Sequence, residues 1–200
     1  MKRSKARFAW HLVGIMGSAL LLGASPTEEF ASQLWPGEGR PRFAAKTSVL
    51  VLRRDPQLQS PVAARVPIKL GAPIQFDDTW YRTVRPGEFV ATADGVLKAR
   101  RLGKIRLLSV KDYYANPATE DIAYQKGTTF EYLQYRAEGT CFIRLIGEVF
   151  DTDVCPTLDD KFQMIAEPVT EWWVRVVISG KPKGWLLIDE NTVRFLQRQF

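Results

Sequence analysis

The chain has 200 residues, of which 46% are hydrophobic, 12% aromatic and 25% charged; that excludes disordered and collagen-like classes and leaves room for one or two domains. Of its formal net charge of +6, four positives (Lys2, Arg3, Lys5, Arg7) precede Ser25 unopposed, so the remainder is close to neutral and the main argument for a nucleic-acid partner disappears. The one histidine, His11, lies in that leading segment, which excludes from the body a Ser-His-Asp or Cys-His centre, an H-E-x-x-H zinc site and a histidine pH switch.

The amino end reads as an export signal. A basic M-K-R-S-K-A-R region is followed by an apolar run from Phe8 to Leu22 and small residues at Gly23-Ala24-Ser25. As a helix the run is about 22 Å long, short of the roughly 30 Å hydrocarbon core. A signal peptide over 1–24 is therefore expected, with an uncleaved tether as the alternative, and no membrane span after processing. A polar linker over 25–43 follows, punctuated by Pro and Gly.

From there β-branched and aromatic runs recur between turn signals. Strands are expected at Ser48 to Arg53, Ala64 to Pro67, Pro73 to Phe76, Trp80 to Arg85 and Glu88 to Thr92, with turns at Pro86-Gly87 and Asp94-Gly95. In Trp80 to Arg85, Trp80, Arg82 and Val84 share one face, while Tyr81 and Thr83 take the other. Further on, Ile105 to Val110 reads as a strand, 112–121 as an acidic irregular stretch, and Phe130 to Tyr135 as the partner of Cys141 to Val149. Phe162 to Ala166, Trp172 to Ile178, Trp185 to Ile188 and Val193 to Leu196 complete the series. Helical periodicity is weak and βαβ alternation is absent, so the expected class is all-β.

Cys141 and Cys155 are the only cysteines. In an oxidising compartment they most simply form one structural disulfide, which for a loop of about 15 residues contributes on the order of 3 kcal/mol. A metal pair lacking other soft ligands, or two free thiols, are the other readings; four zinc ligands are not at hand. No cofactor and no metal are expected.

Glu120 to Gly127 (E-D-I-A-Y-Q-K-G), Glu171 to Val176 (E-W-W-V-R-V), Lys183 to Leu186 (K-G-W-L) and a last strand at N-T-V-R-F-L together resemble an SH3 domain, with Asp112 to Ala115 like the aromatic start of its acidic loop. In the first half, Val49 to Pro56, Val66 to Phe76, W-Y-R-T-V and G-E-F-V resemble a bacterial SH3-like domain, with Phe89 where tryptophan is commoner. The resemblance implies two small SH3-like barrels in tandem, over 44–103 and 104–200. The second would carry an insertion at about 136–170 whose extra hairpin the disulfide pins.

The resemblance also implies an aromatic cleft beside acidic residues, which nominates Trp172, Tyr114, Glu120 and Asp121 for ligand binding. Adjacent Trp172 and Trp173 point to opposite faces of a strand, so one can fill the core, and the other either lies outside for a ligand or packs under the inserted hairpin. The Pro and Tyr that complete the cleft in eukaryotic relatives are replaced near Leu187 and Thr192, which speaks against polyproline recognition.

Other fragments have plainer readings. The D-x-D of Asp151 and Asp153 lacks the α/β frame of haloacid-dehalogenase-like phosphatases. As a calcium loop it fails at Pro156 and Phe162, and together with Asp159 and Asp160 it reads as a solvated acidic loop rather than an ion site. Asp77-Asp78 reads as a turn. Lys98, Arg100, Arg101 and Lys104, placed between the two modules, are candidates for contact with anionic wall polymer or lipid head groups.

The functional expectation is a non-catalytic binding module of the bacterial cell envelope, periplasmic or secreted, whose partner is cell-wall peptide or glycan or an extended protein segment. The alternative is a structural or assembly subunit whose tryptophans and hairpin are buried against another envelope protein.

Overall fold

The structure is a computed structural model that describes residues 29–37, 39–115 and 118–196; the expected leader, with His11, and the first residues of the linker lie outside them. Among the described residues the fold is all-β, with one short α-helix. Six strands come first: β1 (Phe30–Ser32), β2 (Phe43–Ala45), β3 (Val49–Arg53), β4 (Val62–Pro67), β5 (Pro73–Ile74) and β6 (Phe76–Arg85). Then follow β7 (Gly87–Ala91), β8 (Gly95–Gly103), β9 (Leu107–Leu108), helix α1 (Val110–Ala115), β10 (Glu120–Tyr124), β11 (Thr129–Tyr135), β12 (Cys141–Leu145), β13 (Glu148–Thr152) and β14 (Phe162–Ala166). The last three strands are β15 (Val169–Ile178), β16 (Lys181–Leu187) and β17 (Val193–Phe195).

The strands are nested rather than sequential. One seven-stranded sheet has the order β4-β3-β16-β15-β6-β1-β9, the other β10-β8-β13-β12-β11-β7-β14, and β17-β2-β5 form a third, smaller sheet. Long strands β6 and β15 pair antiparallel from Val169↔Arg85 to Val176↔Phe76. Apart from the two-residue edge strand β9, the chain therefore leaves the first sheet at residue 85 and returns at 169, and the second sheet is built wholly from the stretch between. Two sequential barrels meeting at 103/104 differ from this pairing, since the Trp172–Trp173 strand lies beside Trp80–Tyr81 in one sheet. Neither seven-stranded sheet closes into a barrel. The crossing point is tight: a Cβ on Gly87 would collide with the Ala166 carbonyl, so a glycine there lets the outgoing and returning backbones touch.

Three cores follow from the alternation of apolar side chains. Under the first sheet and the small sheet lie Phe43, Leu50, Leu52, Phe76, Trp172, Val174 and Leu186. The second sheet buries Phe89, Phe130, Tyr132, Ile143, Phe150 and Phe162. Phe30, Leu108, Tyr113, Leu133, Phe142 and Val149 join elements of both sheets in a third cluster, and each such side chain contributes about 1.5–3 kcal/mol on burial. Polar pins cross the same junction. Fully buried Gln134 donates to the Tyr81 carbonyl at 2.5 Å and accepts from the Ser32 hydroxyl at 2.9 Å, and the Thr83 hydroxyl donates to the Leu133 carbonyl at 2.8 Å.

Several local expectations are corrected. The apolar run 141–149 is two strands, folded back at Ile146-Gly147, where φ is +50° and +75°; that pair of angles belongs to the tight hairpin turn whose twist matches its strands. Ile105 to Val110 holds only the two-residue β9 before α1 begins. Ser109 starts that helix: its hydroxyl accepts from the Asp112 amide at 3.0 Å and donates to the Asp112 carboxylate at 2.6 Å, a helix-capping arrangement. The stretch expected to be irregular contains most of α1 and the first two residues of β10. Cys141 and Cys155 form the disulfide, with Cα atoms 5.1 Å apart. It clamps the open end of the β12–β13 hairpin, which occupies the middle of the second sheet instead of standing out as an appendage.

Candidate functional site

The residues nominated for a binding cleft are not brought together. Trp172 belongs to the first sheet and is buried against Phe43, their ring centroids 5.4 Å apart, with its indole N–H donating to the Thr79 hydroxyl at 2.7 Å. Trp173, on the opposite face, is also buried and donates to the Glu171 carboxylate at 2.9 Å. Both faces of β15 are covered, so neither tryptophan is the outside one. Only an edge of Trp172 borders a shallow hollow with Lys46, Asp189, Glu190 and Phe195. There Asp189 holds the Asn191 and Thr192 amides, and the Lys46 ammonium donates to the Glu190 carbonyl. Glu120 sits on edge strand β10, paired with Arg101 at 2.6 Å, and Asp121 is exposed beside it. Tyr114 alone, 68% exposed on α1, stands at an aromatic cleft.

The basic cluster is likewise divided. Lys98, Arg100 and Arg101 lie on β8, a strand and not a linker, and Lys104 follows its end. Arg100 is buried, and Arg101 is held by Glu120 and Glu148. Lys98 and Lys104 remain exposed. Lys98 lines a hollow with Asp153, Asp159 and Asp160, whereas Asp151 turns into the interior. Among the described residues no group of three or more His, Cys, Asp or Glu side chains is placed to hold a metal ion.

The cleft at Tyr114 is one half of a groove built by the segment after β1. Gln33 fixes that segment: its amide N–H donates to the Leu108 carbonyl at 2.9 Å, its side-chain NH2 to Asp78 at 3.1 Å, and its side-chain carbonyl accepts from the Val110 amide at 3.3 Å. Gly37 donates to the Arg136 carbonyl at 2.6 Å with φ at +99°, a backbone that favours glycine. Between these anchors stands half-buried Trp35. On one side of its ring is a cavity of about 270 Å3 lined by Leu34, Tyr113, Tyr114, Arg136 and Ala137. On the other is one of about 170 Å3 lined by Arg40, Phe76, Asp77, Asp78 and Thr79. Gln33, Trp35 and Val110 line both, so the two adjoin at the indole.

Electrostatics differ along the groove. At the second cavity the charges balance: Arg175 pairs with Asp77 at 2.8 Å, and Arg40 lies over the Phe76 ring at 4.6 Å. Beside the first, buried Asp151 accepts from Arg100 at 2.7 Å, from the Tyr113 hydroxyl at 2.9 Å and from Arg136 Nε at 3.2 Å. Arg100 also lies 3.8 Å above the Tyr113 ring. Burial, and next the Asp151 charge, push the Tyr113 phenol up, so it stays protonated and donates. Two guanidinium groups thus share one carboxylate. The sequence read Gln33 and Trp35 as linker residues and Arg136 as the start of the insertion; the aromatic pair Tyr113-Tyr114 was the signal that pointed here, and the Ser109–Asp112 capping pattern, which was not read, was the one that could have placed α1.

No family model matches the chain, and neither a curated protein nor a solved structure matches it.

Proposed function

We propose that the protein is a non-catalytic binding module of the cell envelope, and that its ligand, an extended cell-wall peptide or protein segment, lies in the groove across Trp35. The observation that carries this is that two cavities adjoin at a half-buried indole that lines both. An aromatic platform with a few convergent polar groups is what a binding site for an extended chain requires. Its residues are held in place before any ligand arrives, by the Gln33 and Gly37 hydrogen bonds, which lowers the ordering cost of binding.

The apolar leader supports export, and a disulfide is what an oxidising compartment permits. Among the described residues no helix is long and apolar enough to cross a membrane. We also read the strands that bracket the second sheet as SH3-like. In support, V-L-V-L-R-R and W-Y-R-T-V from the first half and E-W-W-V-R-V and K-G-W-L from the second share a single sheet. The assembly-subunit alternative has less in its favour, because Trp172, Trp173 and Trp185 are already buried within the chain.

Cosedimentation of the oxidised full chain with purified sacculi tests the reading. Wild type is retained and folded Trp35→Ala is released. Equal retention of both removes the site from the groove, and no retention of wild type removes the wall ligand.

A further inference from the structure

Arg136 is the side chain around which the groove is charged. Its Nε is spent on Asp151, which fixes the direction of the guanidinium plane. Nη1 and Nη2 have no hydrogen-bond partner among the described residues, the side chain is 28% exposed, and it lines the cavity between Tyr113, Tyr114 and Trp35. The cluster behind it is short of acceptors in two independent ways. Asp151 is the carboxylate shared by Arg100 and Arg136, leaving one positive charge in excess. Arg100, more than nine-tenths buried, also keeps an Nε–H without a partner, although buried polar groups are ordinarily satisfied. The opposite end of the groove is charge-balanced. An anionic ligand therefore gains most at the Arg136 end, where a guanidinium edge offers two parallel donors matched to a carboxylate.

We propose that Arg136 receives the free terminal carboxylate of a peptide, whose last residue lies against Trp35 and whose chain continues toward Phe76 and Thr79. The inference deepens the groove reading and rests on it. It also orients the ligand, with its C-terminus at Arg136 and its preceding residues on the balanced side. A cavity of about 270 Å3 holds one or two small residues, so recognition is of a chain end. An internal segment would leave the guanidinium edge unpaired.

The test is a titration of the 15N-labelled full chain with N-acetyl-alanyl-alanine, with its C-terminal amide and with inorganic phosphate, reading the Trp35 indole and Arg136 Nε–H signals. The acid moves both signals, while the amide and phosphate bind at least about tenfold more weakly. Arg136→Gln abolishes the response. Arg136→Lys, which keeps the charge and a donor toward Asp151, retains binding weakened by about tenfold. Equal binding of acid and amide, phosphate binding as well as the acid, or an unchanged response in Arg136→Gln each overturns the carboxylate site. If the acid leaves both signals unmoved while Trp35→Ala still releases the protein from sacculi, the carboxylate inference fails and the groove stands. If neither responds, the groove reading itself has failed.

Discussion

Asp151→Asn is the substitution with the largest consequence for its size. It preserves shape and removes one charge from a residue 6% exposed. Three donors converge on that carboxylate at 2.7, 2.9 and 3.2 Å, two of them guanidinium groups. Hydrogen bonds to a charged group are worth about 1.5–3 kcal/mol each, yet their sum is not the expected loss, because the pair cost desolvation to form. The relevant quantity is what remains after the change: Arg100, its side chain 10% exposed, left as an uncompensated buried cation. Breaking a buried pair in this way costs about 3–5 kcal/mol, a large part of the roughly 5–15 kcal/mol that holds a domain folded. The contrast is Asp77→Asn, which opens a half-exposed pair with Arg175 and loses less than about 1 kcal/mol. Urea unfolding of the oxidised protein, followed by circular dichroism, measures both. A loss below about 1 kcal/mol for Asp151→Asn would refute the view that this carboxylate balances the buried Arg100.

Replacing Cys141 and Cys155 together by Ser lowers stability by about 2–4 kcal/mol, read as a shift in urea midpoint without loss of strand signal at low denaturant. Ile146, 91% exposed with φ at +50°, carries a β-branched side chain in left-handed backbone, so Ile146→Asn raises stability by about 0.5–1 kcal/mol in the same assay. Tyr132 is pushed up to about 12, first by burial and then by Glu167. The folded state thus holds its proton after the unfolded chain, near pH 10, has released it, and stability falls between pH 10 and 12. Tyr132→Phe removes about 1–2 kcal/mol of that decline between pH 9 and 12, seen in paired urea titrations.

The sequence made the strands legible where alternation was long enough to register. In Val49 to Arg53 the inward and outward positions follow the residues directly, whereas Asp77-Asp78, read as a turn, lie within the ten-residue β6, whose burial does not alternate. What escaped were β1 and β2, three residues each, too short to show a period amid Pro and Gly. β8 was hidden differently, because Lys98, Arg100 and Arg101 mask its apolar face, and nothing local says that Arg100 meets Asp151 across 51 positions. Nesting escaped for a related reason. Motif order is the same whether Trp172 pairs with a strand of its own half or with Tyr81, since pairing is a long-range choice made by packing. The candidate site was legible only as Tyr114. Trp172 was read as exposed on the assumption that one sheet face is open, and Trp35 lacked any local pattern that sets it above the five other tryptophans.

The most direct test of the groove is the indole region of a 1H–15N spectrum of the full chain, titrated with solubilised cell-wall peptide fragments. The Trp35 signal shifts with saturation, while Trp172 and Trp173, whose N–H groups are held by Thr79 and Glu171, stay in place. A shift confined to Trp172 or Trp173, or no shift at Trp35 while the fragments demonstrably bind, would contradict the account.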